Sequence, residues 1–136
     1  KESEKSEVYI DDEKVVNSKI LKQARDFFNN DSFWLVAPYK VFDVGTERRI
    51  VKYNDKDALL ITYASGGTTP GDSYLWILDD YNFPISYKMN VPSMKMEGVP
   101  ATWEDWITTE SGTLLPTSHT FSSEPKLSII TVKGYN

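Results

Sequence analysis

Few residues in this chain have the chemistry of a catalyst, and their spacing does not assemble one. His119 is the single histidine and cysteine is absent. A histidine works as a general base only with a nucleophile in reach and a third group to orient it. Ser118 is adjacent, but neighbours in a strand point to opposite faces. His119 therefore reads as a structural or surface residue. With one imidazole and no thiolate, a zinc site would have to be mostly carboxylate, which is uncommon.

Paired acids are the next candidates: Asp11-Asp12, Asp79-Asp80 and Glu104-Asp105. Two carboxylates facing each other across a cleft can hydrolyse a glycosidic bond. Consecutive acids on a strand diverge, and the first two pairs sit in turn or cap sequences, so solvated turn residues are expected. The glycine-rich run Ser65 to Asp72 lacks the lysine of a phosphate-binding loop, and no helix start follows it. It reads as a strand connection, with Gly71-Asp72 a tight turn.

The one chemical excess is aromatic. Phe, Trp and Tyr make up 13% of the chain, and Trp34, Tyr74, Trp76, Tyr81, Phe83, Tyr87, Trp103 and Trp106 crowd the segment after residue 31. Such rings either fill a core or line a concave site that takes sugar by stacking or lipid by burial. Trp103 and Trp106 are three apart, which puts them on opposite faces of a regular strand. Both can be core only if a bulge intervenes or both faces are covered.

The elements that must position these rings follow from periodicity. Residues Lys1 to Glu7 are charged and without apolar anchors, a frayed terminus; Val8-Tyr9-Ile10 reads as a short strand. From Glu13 to Asn29, Val16, Ile20, Ala24 and Phe27 recur at helical spacing, with Leu21 and Phe28 beside them. Asp11 or Asp12 is the expected cap, and Asn29-Asn30-Asp31 the expected stop. Beyond Asp31 the period drops to two. Phe33 to Ala37 is an apolar strand ended by Pro38. Arg49 to Tyr53 and Ala58 to Ala64 form a hairpin around a four-residue turn, Asn54 to Asp57. Ser73 to Leu78 follows, then a turn at Asp79 to Asn82. Ile85, Tyr87, Met89 and Val91 alternate with polar residues as a half-buried strand. Pro92 to Pro100 is irregular, Trp103 to Thr109 and Thr113 to Phe121 make a third hairpin, and Leu127 to Val132 closes the domain. One helix followed by sequential strands predicts one α+β domain, the helix on one face of a mostly antiparallel sheet.

Composition narrows the partners. A length of 136 residues suits a single core, and the net charge of −5 repels a phosphate backbone. Nucleic acid and electrostatic docking to anionic lipid are disfavoured. No apolar run approaches the ~20 residues needed to span a bilayer. The chain begins at Lys1 rather than Met, from which a removed leader, anchor or upstream region is expected.

The order of motifs adds a resemblance. Phe33-Trp34-Leu35-Val36-Ala37-Pro38-Tyr39-Lys40-Val41 precedes Asp43-Val44-Gly45. Then come Thr69-Pro70-Gly71-Asp72-Ser73-Tyr74-Leu75-Trp76-Ile77, Phe83-Pro84-Ile85, Trp103-Glu104-Asp105-Trp106 and Gly112-Thr113-Leu114-Leu115-Pro116-Thr117. This resembles an uncharacterised family of bacterial lipoproteins with the outer-membrane lipoprotein carrier (LolA-like) fold, over about two thirds of the chain, Phe33 to Phe121. The resemblance implies an antiparallel sheet curved into an open half-barrel, with helices lining its concave side and a cavity that shields acyl chains. It brings no catalytic residues. Related chains carry more sequence before the helix, so either this chain is the C-terminal part of a longer domain or its sheet is incomplete, with an edge open to self-association.

Together these readings predict an extracytoplasmic, non-enzymatic domain, periplasmic or anchored to the outer membrane. It would need no cofactor or metal and would bind an apolar or amphipathic ligand, a lipid or acyl chain, between sheet and helix. The expected lining is Tyr74, Trp76, Tyr87, Met89 and Trp106 from the strands, with Phe27 and Phe28 from the helix. The alternatives are a structural or protein-interaction module with a filled core, and a carbohydrate-binding domain marked by exposed coplanar tryptophans.

Overall fold

The computed structural model describes residues 7–122, 126–129 and 131–134. The expected frayed start lies outside them except for Glu7, whose carboxylate accepts from the Tyr9 hydroxyl and the Lys14 ammonium.

The chain opens with a hairpin of β1 (Val8–Ile10) and β2 (Glu13–Val15), with Ile10 opposite Glu13. Asp11 and Asp12 make its two-residue turn at φ 50° and 63°, a left-handed geometry that Asp tolerates better than most residues. Neither caps the helix, and the expected helical start at Glu13 is extended instead. Helix α1 spans Ser18–Val36 and is capped by Asn17, whose side-chain oxygen accepts from the Lys19 and Ile20 amides at 2.9 and 3.4 Å.

The helix runs through Asn29-Asn30-Asp31, where a stop was expected, and absorbs Phe33 to Val36, expected as a strand. Asn and Asp are mediocre helix formers, not breakers, and the docking of Phe33 and Trp34 outweighs that small cost. The true stop is Pro38. It has no N–H for the carbonyl four residues back, Trp34, and its ring crowds that carbonyl. The chain leaves through a 3₁₀ turn, Ala37–Tyr39.

Five strands follow in sequential antiparallel order: β3 (Thr46–Tyr53), β4 (Lys56–Tyr63), β5 (Ser73–Leu78), β6 (Pro84–Val91) and β7 (Met96–Thr102). The β3–β4 turn is shorter than expected. Tyr53 pairs with Lys56, and Asn54 and Asp55 supply two positive φ angles, 50° and 63°. Met96 to Pro100, read as irregular, belongs to β7. A second sheet of β8 (Glu104–Thr108), β9 (Leu114–Thr120) and β10 (Lys126–Ser128) has the order β10-β9-β8. The closing strand is thus shorter than expected, and Ile130 lies outside the described residues. The architecture is α+β, with one helix among the described residues and antiparallel sheets that are not closed into a barrel. No described helix is long and apolar enough to cross a membrane.

Candidate functional site

The inner face of the large sheet is organised as two cross-strand rows. One reads Arg48, Ile61, Tyr74, Met89, Val99 from β3 to β7; the other reads Ile50, Leu59, Trp76, Tyr87, Ala101. Directly opposed side chains on one face are near neighbours, so each row is a continuous strip. From β5 to β7 the strips are covered. Phe33 lies 4.7 Å from Tyr74 between ring centroids, and Trp34 lies 6.4 Å from Tyr87. Trp103, in the link between the two sheets, sits 4.5 Å from Tyr87 and 5.3 Å from Trp76. These are contact distances for aromatic pairs.

Cover runs out toward β3. In the second row exposure rises from 0% at Tyr87 and 4% at Trp76 to 65% at Ile50, with Leu59 between them half-buried. Phe42, 80% exposed, stands at the end of this shelf with the Arg48 guanidinium 4.9 Å from its ring centroid. Arg48 also donates to the Val41 carbonyl at 2.7 Å and the Thr46 hydroxyl at 2.8 Å, which fixes its position. Two residues on from Ile50, Lys52 shares the face and pairs with Asp57 at 2.7 Å. The uncovered feature is an apolar strip with a cation on either side.

The seven residues expected to line a ligand site divide accordingly. Tyr74, Trp76, Tyr87 and Met89 come together, but as packed core. Trp106 is half-buried and packs on Phe83 at 4.6 Å. Phe27 and Phe28 do not join them, being 58% and 70% exposed. The rings that face the sheet from α1 are Phe33 and Trp34, six residues further on. Sequence reading missed this by placing both on a strand. It also passed over Phe42 and Ile50, which lie in a charge-rich stretch, and Leu59, which lies in the apolar run Ala58 to Ala64. Trp103 and Trp106 share a side, the Trp106 indole donating to the Trp103 carbonyl at 3.3 Å, because Asp105 adopts φ 51° and breaks the alternation.

Several polar atoms are sealed in this interior. Among the described residues, the Tyr63 and Tyr87 hydroxyls, the Trp76 and Trp103 indole nitrogens and the Ser118 hydroxyl have no hydrogen-bond partner. Burial pushes the Tyr63 hydroxyl up to about 12 and raises Tyr74 and Tyr87 further still. Asp72, almost fully buried, is raised by burial while its bond from the Thr69 hydroxyl opposes the shift.

His119 is fully buried, with Ser118 buried on the opposite face of β9. Its Nδ1 lies 2.7 Å from the Thr102 carbonyl oxygen and its Nε2 2.7 Å from that of Trp34. Both ring nitrogens are occupied by backbone, and among the described residues no nucleophile is hydrogen-bonded to the ring. Glu104 and Asp105 lie 3.9 and 3.3 Å from the Lys126 ammonium, and the Asp79 carboxylate accepts from the Tyr81 and Phe83 amides at 2.9 and 2.8 Å. Each acid has a local structural occupation. Among the described residues, no three His, Asp or Glu gather as metal ligands would.

Comparison of the chain with protein-family models, with curated proteins and with solved structures finds no match.

Proposed function

We propose that this chain is a non-enzymatic, extracytoplasmic binding domain of the LolA-like lipoprotein type. Its ligand is amphipathic, an acyl chain with an anionic head, laid on the exposed inner face of β3 at Ile50, beside the half-buried Leu59 of β4. The exposure gradient from Trp76 through Leu59 to Ile50 is the observation that carries this reading. An alkyl chain along that strip would gain about 0.8 kcal/mol for each methylene removed from water. Arg48 and Lys52 flank the strip and suit a carboxylate or phosphate head. The motif order from Phe33 to Phe121 supports the same family.

The test is a titration with a fluorescent long-chain fatty acid. The parent should bind, and Ile50→Asp should weaken binding at least tenfold while its unfolding midpoint stays in place, because Ile50 is exposed. Failure of the parent to bind the probe removes the acyl reading.

The second reading is a protein-interaction module. It is favoured by the closed ring contacts over β5–β7 and by the exposure of Phe27 and Phe28 on α1. The carbohydrate reading has less support, since Trp76 and Trp103 are buried and Trp34 and Trp106 half-buried, leaving no exposed indole to stack on a sugar.

A further inference from the structure

The two carbonyls around His119 impose a requirement on its protonation. A neutral imidazole has one N–H and one lone pair, so it donates to one carbonyl and turns a lone pair on the other; only the imidazolium donates twice. Both contacts here are 2.7 Å. One of these carbonyls is vacant for a reason written in the sequence. Trp34 lies four residues before Pro38, which has no N–H to return to it. The His119 ring thus occupies the place of the missing backbone donor at the C-terminus of α1, where the helix dipole favours a positive charge. Two indoles enclose it, Trp103 edge-on at 5.0 Å and Trp34 at 5.5 Å between centroids.

We propose that His119 is a proton-operated latch that fastens the C-terminal end of α1 to the sheets. In the imidazolium form it bridges Trp34 on the helix to Thr102 on β7. In the neutral form it keeps one of the two, and the helix end loosens. The groups that act on the ring come from every side. From α1 there is the Trp34 carbonyl and indole; from β7 the Thr102 carbonyl. The neighbouring link gives Trp103, β10 gives Leu127 directly opposite, and β8 gives the Glu104 carboxylate with Lys126 3.9 Å beyond it. Burial lowers the histidine, while the carbonyls of Thr102 and Trp34 and the charge of Glu104 pull it back upward. The net direction is down, so the latch closes only below the pH at which an ordinary histidine takes up its proton.

The chain's lone histidine makes the test direct. Nitrogen-15 NMR of the imidazole, followed from pH 8 to pH 4.5, reads tautomer and charge, and amide hydrogen exchange at Leu35 to Ala37 reads the helix end. A single neutral tautomer should give way to imidazolium while the fold persists, with slower exchange at the helix end over the same step. Glu104→Gln, a partly exposed site, should move that step to lower pH. A ring that stays neutral until the protein unfolds overturns the proposal, and so does a ring that charges without any change at Leu35 to Ala37.

Discussion

At the scale of single residues, the interior combines strong packing with unpaired polar atoms, and substitutions separate the two. Trp76 is buried between Leu59 and Tyr87 and touches Trp103. Trp76→Ala should cost about 3–5 kcal/mol of stability, read as a fall in the denaturant midpoint. Tyr87→Phe should behave in the opposite way. Its hydroxyl is buried with no partner among the described residues, and an unsatisfied buried group costs about 1–3 kcal/mol, so its removal should hold or raise the midpoint. A clear loss in that variant would mean the hydroxyl has a partner after all. The tyrosines also set an alkaline limit. Where the folded pKa is raised, the unfolded chain loses its proton first and the native state holds more protons. Stability is then complete below the ordinary tyrosine value near 10 and declines as pH rises past it. Tyr63, held up to about 12, and the higher Tyr74 and Tyr87 should ionise together with unfolding. Alkaline titration of tyrosinate absorbance alongside circular dichroism checks this; ionisation of all three in an intact fold would contradict it.

At the scale of elements, α1 is a helix of two halves. Its C-terminal turns dock through Phe33 and Trp34, whereas Phe27 and Phe28 face solvent. The first half consequently depends more on its own ends than on packing. Asn17→Ala removes the cap that holds two amides and should cost about 1 kcal/mol. The loss should show as faster hydrogen exchange confined to the first turns of α1. Uniform acceleration along the helix would mean that both halves unfold as one unit.

At the scale of the whole molecule, β3 is an edge of the large sheet with no further strand beside it among the described residues. Its sequence, Thr-Glu-Arg-Arg-Ile-Val-Lys-Tyr, guards that edge. A two-fold axis centred on Arg49 would set Arg49 against its own copy; one centred on Ile50 would set Arg48 against Lys52. Like charges directly opposite destabilise a strand pair. The self-association anticipated from an unpaired edge is thus opposed in both central registers. Replacing Arg49 and Lys52 by Thr should promote it, raising the sedimentation coefficient with concentration while the parent's stays constant. Association of the parent as strong as that of the variant would show that the charges do not guard the edge.

Local patterns were legible wherever one interaction range decided the outcome. The hairpins from β3 onward, the alternating β6 and the α+β class all follow from the covalent order of apolar and polar residues, whereas the switch from helical to strand period expected after residue 31 comes only beyond Val36. The helix stop was expected at Asn29-Asn30-Asp31 and falls instead at Pro38, because Asn and Asp only weaken a helix whereas proline removes a donor. The sequence did not reveal where α1 ended its contact with solvent, because Phe27, Phe28, Phe33 and Trp34 are equally apolar and only the sheet distinguishes them. Nor did it reveal the short type of turn at Asp11-Asp12, since a capping Asp and a left-handed turn Asp look alike without the strands on either side. The candidate site moved for the same reason. Burial at Trp76 and exposure at Ile50 depend on which elements cover β5 to β7 and leave β3 bare. His119 was read from the sequence as a structural or surface residue, and the fold buries it. Its task, joining the Trp34 and Thr102 carbonyls, exists only because folding brings together residues 85 and 17 positions away in the chain.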